Sequence, residues 1–148
     1  MLKLSHSLVL AVALCGLMPA AANAQGRQYY DNSYSYNEIN NYYYCQYHYQ
    51  TAPATYSYHY VIYYPAHPRY VYYYNPHRRY YWGRYEIDEN GKGKGYSMLE
   101  EKDRKEKLTD IPEKAFPKAG DMPPVPEGAD AKEKMTPPPI NNLPKDKK

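Results

Sequence analysis

The chain has 148 residues, with 19 Lys and Arg against 16 Asp and Glu and a formal net charge of +3, and it carries 22 Tyr and 14 Pro beside one Phe and one Trp. A balance this close to neutral excludes a protein that gathers nucleic acid by long-range charge. Two cysteines, Cys15 and Cys45, exclude a disulfide-stapled scaffold and a thiolate zinc cluster.

Residues 1–24 read as a cleaved secretory signal peptide. Lys3 precedes an apolar run over 8–18, Pro19 ends the run, and Ala22-Asn23-Ala24 puts small residues where signal peptidase reads them, just before Gln25. The run is about half the ~20 residues that a membrane-spanning helix needs. Leu14 in front of Cys15 is not the small residue that lipidation requires. Cleavage takes away Lys3 and Cys15, so the mature chain has 18 basic against 16 acidic residues, Cys45 as its lone thiol, and no transmembrane segment.

From 25 to 79 the sequence is Tyr-rich and of low complexity, with Asp31 and Glu38 as its acids. All but one of the 22 tyrosines lie between Tyr29 and Tyr85, Tyr96 being the exception. Tyr56, Tyr58 and Tyr60 alternate with Ser57 and His59, and Tyr47 and Tyr49 flank His48, so an extended chain places rings on one face. A second strand-like run, Tyr70-Val71-Tyr72-Tyr73-Tyr74, follows the turn-forming connector Pro65-Ala66-His67-Pro68-Arg69. Short β-hairpins are expected here. Two strands alone are seldom stable in water.

Residues 80–116 form the most protein-like part. Tyr80 to Ile87 reads as a strand, Asp88 to Gly95 as a polar glycine-rich turn, and Tyr96 as the start of a return. Ser97-Met98-Leu99-Glu100 matches a capping box, which predicts one short helix near 98–108. Glu101 with Lys105 and Asp103 with Lys107 add about 0.2–0.5 kcal/mol each to such a helix. Residues 117–148 read as a Pro/Lys-rich disordered tail, in which Pro123-Pro124-Val125-Pro126 and Pro137-Pro138-Pro139 favour polyproline II.

The mature chain has twelve Leu, Ile, Val and Phe in 124 residues, well below the roughly one-fifth under which composition points to disorder. The fold class expected is therefore a mostly disordered low-complexity chain with local structure. Tyrosine brings large apolar area, but its hydroxyl must be hydrated or hydrogen-bonded, so the rings read better as a contact surface than as a core.

No motif assigns chemistry. His48, His59, His67 and His77 sit eleven, eight and ten residues apart, which matches no metal motif, although imidazoles in a loose chain collect Cu or Zn weakly. Asp88, Asn90 and Gly93 fall at calcium-loop positions, but Lys92 and Leu99 occupy two positions that need acidic or polar ligands. Cys45 and His48 lie on opposite faces of an extended chain. No catalytic, cofactor-binding or metal residue is assigned, no cofactor is implied, and an enzyme is not expected.

Tyr80-Tyr81-Trp82-Gly83-Arg84-Tyr85, Asp110-Ile111-Pro112-Glu113-Lys114-Ala115-Phe116-Pro117 and Met122-Pro123-Pro124-Val125-Pro126, together with the signal peptide, resemble small uncharacterised exported proteins of planctomycete bacteria. The resemblance implies a secreted, periplasmic or cell-envelope setting and no known activity. The expectation is an exported structural or adhesive protein of the envelope or extracellular matrix that associates through its tyrosines with itself or with a surface polysaccharide or protein. A loose His/Tyr metal-binding secreted protein is the alternative.

Overall fold

Seven antiparallel strands run through the region expected to be disordered. The computed structural model describes residues 27–127 and 133–145, so the signal-peptide reading lies outside the described residues. The strands are β1 (Gln28–Tyr30), β2 (Ser35–Asn37), β3 (Tyr42–Ala52), β4 (Thr55–Tyr63), β5 (Tyr70–Asn75), β6 (Tyr80–Ile87) and β7 (Gly93–Met98). They build one curled half-barrel sheet in the order β1-β3-β4-β5-β6-β7, with β2 also pairing to β3 beyond β1. Apart from that shared edge the sheet is a meander of hairpins, which needs only short connections. The expectation of a mostly disordered chain is thereby overturned.

The reason is visible along β3. Tyr43, Cys45, Tyr47 and Tyr49 are buried, while the alternate residues Tyr42, Tyr44, Gln46 and His48 are half-buried. A strand sends successive side chains to opposite faces, so tyrosines in both alternating sets, Tyr43, Tyr47 and Tyr49 on one side and Tyr42 and Tyr44 on the other, supply both faces of the sheet at once. Each ring buries on the order of 150–250 Å². That area replaces the missing aliphatic residues, and a count restricted to Leu, Ile, Val and Phe overlooks it.

One face packs Tyr43, Cys45, Tyr47, Tyr49, Val61, Tyr73, Trp82 and Tyr96 against Val125 and Met135 of the C-terminal segment. We call it the tail face. The opposite face, here the strap face, packs Ile62, Tyr72 and Tyr81 against Leu99, Ile111 and Phe116. A bulge in β6 divides neighbouring rings between the two: Tyr74 pairs with Tyr81 and Tyr73 with Gly83, which leaves Trp82 as the extra residue, turned to the tail face beside Tyr73. Gly83 is required there. A Cβ on it would collide with the Tyr96 hydroxyl and stand 2.7 Å from the Ser97 carbonyl oxygen.

Several core hydroxyls find partners at the margins. Tyr47 donates to Gln28 Oε1 at 2.9 Å, Tyr30 donates to the Thr136 carbonyl at 2.6 Å, and Tyr30 and Tyr73 share a hydrogen bond of 3.0 Å. Gln28 also donates to the Lys134 carbonyl at 2.8 Å and accepts from the Thr136 amide at 2.8 Å. This clamp, with the ladder bonds Val125 N–H to Glu133 O and Met135 N–H to Pro123 O, lays the segment down as extended chain over the tail face. Pro123 and Pro138 are buried in it. The expected disordered tail is therefore corrected over 117–127 and 133–145: proline suits an extended strip that has few ladder bonds to make, and its ring adds apolar contact.

The helix expected near 98–108 is also absent. Met98 closes β7, and beyond it stand three short 3₁₀ turns, Glu101–Asp103, Leu108–Asp110 and Glu113–Ala115. Ser97 pairs with Arg84 in the sheet and its hydroxyl donates to the Pro117 carbonyl, so it caps nothing. Burying Leu99 and Ile111 against the sheet needs a chain that follows its surface, and tertiary packing overrides the local capping signal. The turn from Asp88 to Lys92 is held by the Asp88 carboxylate, which accepts from the Asn90 and Lys92 amides at 2.9 and 2.7 Å, with Gly91 at φ 75°.

Candidate functional site: a tyrosine-lined groove

The strap, residues 99–117, covers only part of its face. Between strap and sheet lies an open groove of about 750 Å³. Ile62, Tyr72, Tyr81 and Ile111 are the buried residues that line it, and Tyr42, Tyr60, Tyr64, Tyr70 and Tyr74 are half-buried in its walls. Asn40, His67, Glu106, Lys107 and Glu113 stand among the exposed residues at its margin. The size and the mix of apolar walls with a few polar groups are those of a ligand cleft.

Neighbouring rings hold one another in place. Tyr42 meets Tyr64 edge to face at 5.4 Å between centroids, Tyr44 meets Tyr60 at 5.4 Å, and Tyr74 meets Tyr81 at 4.9 Å. Edge-to-face pairs of this kind are worth about 0.5–1.5 kcal/mol beyond burial and fix ring orientation. The Tyr64 and Tyr81 hydroxyls share a hydrogen bond of 2.7 Å across the groove.

The strap is anchored at one point above all. Arg84, buried on β6, lies 3.9 Å from the Tyr70 ring centroid and 4.1 Å from that of Phe116, and it meets the Glu113 carboxylate in a two-pronged ion pair with Nη1 to Oε2 at 2.8 Å. That hydrogen bond holds the Glu113 carboxyl below the usual carboxylate range. Glu106 is likewise engaged, by Arg79. Burial pushes the Tyr72 phenol up to about 12 and raises those of Tyr42, Tyr60, Tyr64, Tyr74 and Tyr81. All are neutral at physiological pH, so the groove presents phenol donors and acceptors and ring faces, with no phenolate nucleophile.

The four histidines are not brought together. His48 stacks on Tyr29 on the strap face and bonds Asp31 at 3.0 Å, and His59 is buried on the tail face with its Nε2 3.3 Å from the Tyr49 hydroxyl. His67 sits in the β4–β5 connector and His77 in the β5–β6 turn, where its Nε2 is 3.4 Å from Ser57 Oγ. Among the described residues no three His, Cys, Asp or Glu side chains gather as a metal-ligand group. Cys45 is buried under Tyr34, and burial pushes its thiol up to about 12, which leaves it a poor nucleophile. Among the described residues no helix is long and apolar enough to cross a membrane.

Sequence reasoning placed the tyrosines as a surface and missed the groove, because its lining comes from β3, β4, β5, β6 and a strap up to Phe116. The readable signal was the doubled pattern: wherever both members of the alternation are tyrosine, one ring belongs to a core and its neighbour to the opposite face. Comparison with known proteins finds no matching family model, no matching curated protein and no matching solved structure. The planctomycete resemblance accordingly stands on the quoted residues alone.

Proposed function

We propose that this is an exported binding protein of the cell envelope or extracellular matrix that holds a surface polysaccharide in the strap-face groove. The carrying observation is the groove itself: about 750 Å³ with seven tyrosines and Phe116 in its lining and polar groups of both charges at its margin. A sugar ring offers a C–H face that packs on an aromatic ring and a girdle of hydroxyls that pair with phenols, amides and carboxylates. Fixed tyrosines provide both kinds of contact at low entropic cost.

Self-assembly by strand stacking is less well supported. The β7 edge is taken by Gly120, which exchanges backbone hydrogen bonds with Tyr96 at 2.8 Å in each direction. The opposite edge is two three-residue strands, β1 and β2, interrupted between them. Short or covered edges are how sheets avoid adding further strands.

The test is co-sedimentation with insoluble cell-wall polysaccharide, comparing wild type with Tyr60→Ala and Tyr74→Ala. Binding that weakens about tenfold in each variant, roughly 1.4 kcal/mol, supports the reading. Retention that is absent in wild type, or the same in all three, overturns it.

A further inference from the structure

We infer that Tyr29 is a site of oxidative tyrosine coupling between two copies of this chain, and that the ring network of the strap face delivers oxidising equivalents to it. The inference goes beyond polymer binding and does not depend on it.

Two features of the structure carry it. The first is exposure. Tyr29, at 37%, is the exposed tyrosine among the described residues, and every other described tyrosine is buried or half-buried. Coupling two chains requires an ortho ring carbon from each to meet, and the most exposed ring on an edge strand presents one most readily. Tyr29 lies on the edge strand β1, with one ring face against His48 at 4.5 Å and 12°.

The second is continuity. Starting at Tyr72, rings follow one another through Tyr64 at 5.9 Å, Tyr42 at 5.4 Å, Tyr44 at 6.2 Å, Tyr60 at 5.4 Å and Tyr58 at 5.6 Å. His48 then bridges Tyr58, at 6.3 Å, to Tyr29. A phenol that loses an electron must also lose its proton, and burial works against this for Tyr72, Tyr64, Tyr42 and Tyr60, whose phenols it holds in the protonated form. An electron vacancy made along the row is refilled by the neighbouring ring, and the row ends at Tyr29, on the edge strand β1.

The chemistry balances with a haem-peroxidase-type oxidant fed by hydrogen peroxide. Each of two Tyr29 phenols gives up one electron to the oxidant and one proton to water. The resulting phenoxyl radicals form a carbon–carbon bond between ortho carbons, and the hydrogen on each coupled carbon moves to the phenolic oxygen to restore the ring. Two electrons and two protons leave per bond, and one hydrogen peroxide takes them up as two waters. The product is a covalent dimer joined through the edge of the sheet, a fixed link suited to an envelope layer.

The experiment treats the purified protein with a haem peroxidase and hydrogen peroxide in the absence of any polysaccharide, then reads dityrosine fluorescence, dimer on denaturing gels and the joined peptides by mass spectrometry. The expected result is a Tyr29–Tyr29 link, loss of the dimer in Tyr29→Phe with unchanged circular dichroism, and a reduced yield at Tyr29 in Tyr58→Phe, which leaves Tyr29 exposed and breaks the row. No covalent dimer, a dimer that persists undiminished in Tyr29→Phe, or an unchanged yield in Tyr58→Phe overturns the inference. Polymer binding by the same sample, measured separately, shows which of the two readings has failed.

Discussion

Replacing Glu113 by glutamine tests whether the strap is held by its ion pair with Arg84. The glutamine keeps the size of the side chain and one acceptor oxygen but removes the charge, so one of the two guanidinium bonds is lost and the other becomes charge-to-neutral. The magnitude lies between two limits. A fully exposed ion pair is worth about 0–1 kcal/mol, and a buried pair that loses one partner costs about 3–5 kcal/mol. Here the Arg84 side chain is 9% exposed and that of Glu113 is 72% exposed, so water can still reach the carboxylate side. About 1–2 kcal/mol is expected, and chemical denaturation at neutral pH measures it. The pH dependence gives the sharper reading. The Glu113 carboxyl is held below its unfolded value, so its contribution is full above the ordinary carboxylate pKa, about 4.3, and is lost as pH falls through the lower folded value. The gap between wild type and Glu113→Gln should therefore close on acidification. A gap that is the same at pH 3 and pH 7, or absent at pH 7, refutes the ion-pair account of the strap.

Other positions give independent outcomes. Gly83→Ala should cost about 3 kcal/mol or more in equilibrium unfolding, because the new methyl meets the Tyr96 ring and the Ser97 backbone; a cost near zero would mean that β6 and β7 are not in this register. Met135→Ala, at a residue 2% exposed, should lose about 2 kcal/mol or more, whereas a solvated tail predicts no change. His59 is buried and its imidazole is pushed down to about 3, mainly by burial, so the unfolded chain takes up a proton at this residue that the folded chain refuses. Stability should fall as pH drops from about 6.5 toward 3, by up to several kcal/mol, and His59→Gln should flatten that slope in an acid titration followed by tryptophan fluorescence.

Much of the local structure was legible in the sequence. The β4–β5 pair joined through residues 65–69, the strand from Tyr80 to Ile87 and the turn opened by Asp88 all stand where alternation and turn residues put them. What local patterns could not give was the cooperation among these pieces. Each hairpin is marginal alone, and it is the seven-stranded sheet, filled on both faces by tyrosine, that makes them jointly stable. Ser97 shows the same limit from the other side. Its capping-box spacing is real, yet its hydroxyl serves Pro117, because burying Leu99 and Ile111 outweighs a cap worth about 1 kcal/mol. The prolines beyond Pro117 point to a disordered tail in the sequence, although a missing N–H costs an extended edge segment little, and Pro123 and Pro138 are buried. The groove was the least legible feature, since Asn40 and Phe116, at opposite ends of the sequence that lines it, come to one groove only after β3 to β6 have formed.

The most direct test of the central claim, that the strap-face tyrosines form a sugar-binding groove, is a nuclear magnetic resonance titration of the protein with oligosaccharides cut from the surface polymer, following the aromatic ring signals. Shifts concentrated on Tyr42, Tyr60, Tyr64, Tyr70 and Tyr74 and saturating with ligand are predicted, with Tyr47 and Tyr73 of the tail face unmoved. Shifts confined to the tail face, or none at saturating oligosaccharide, would contradict the account.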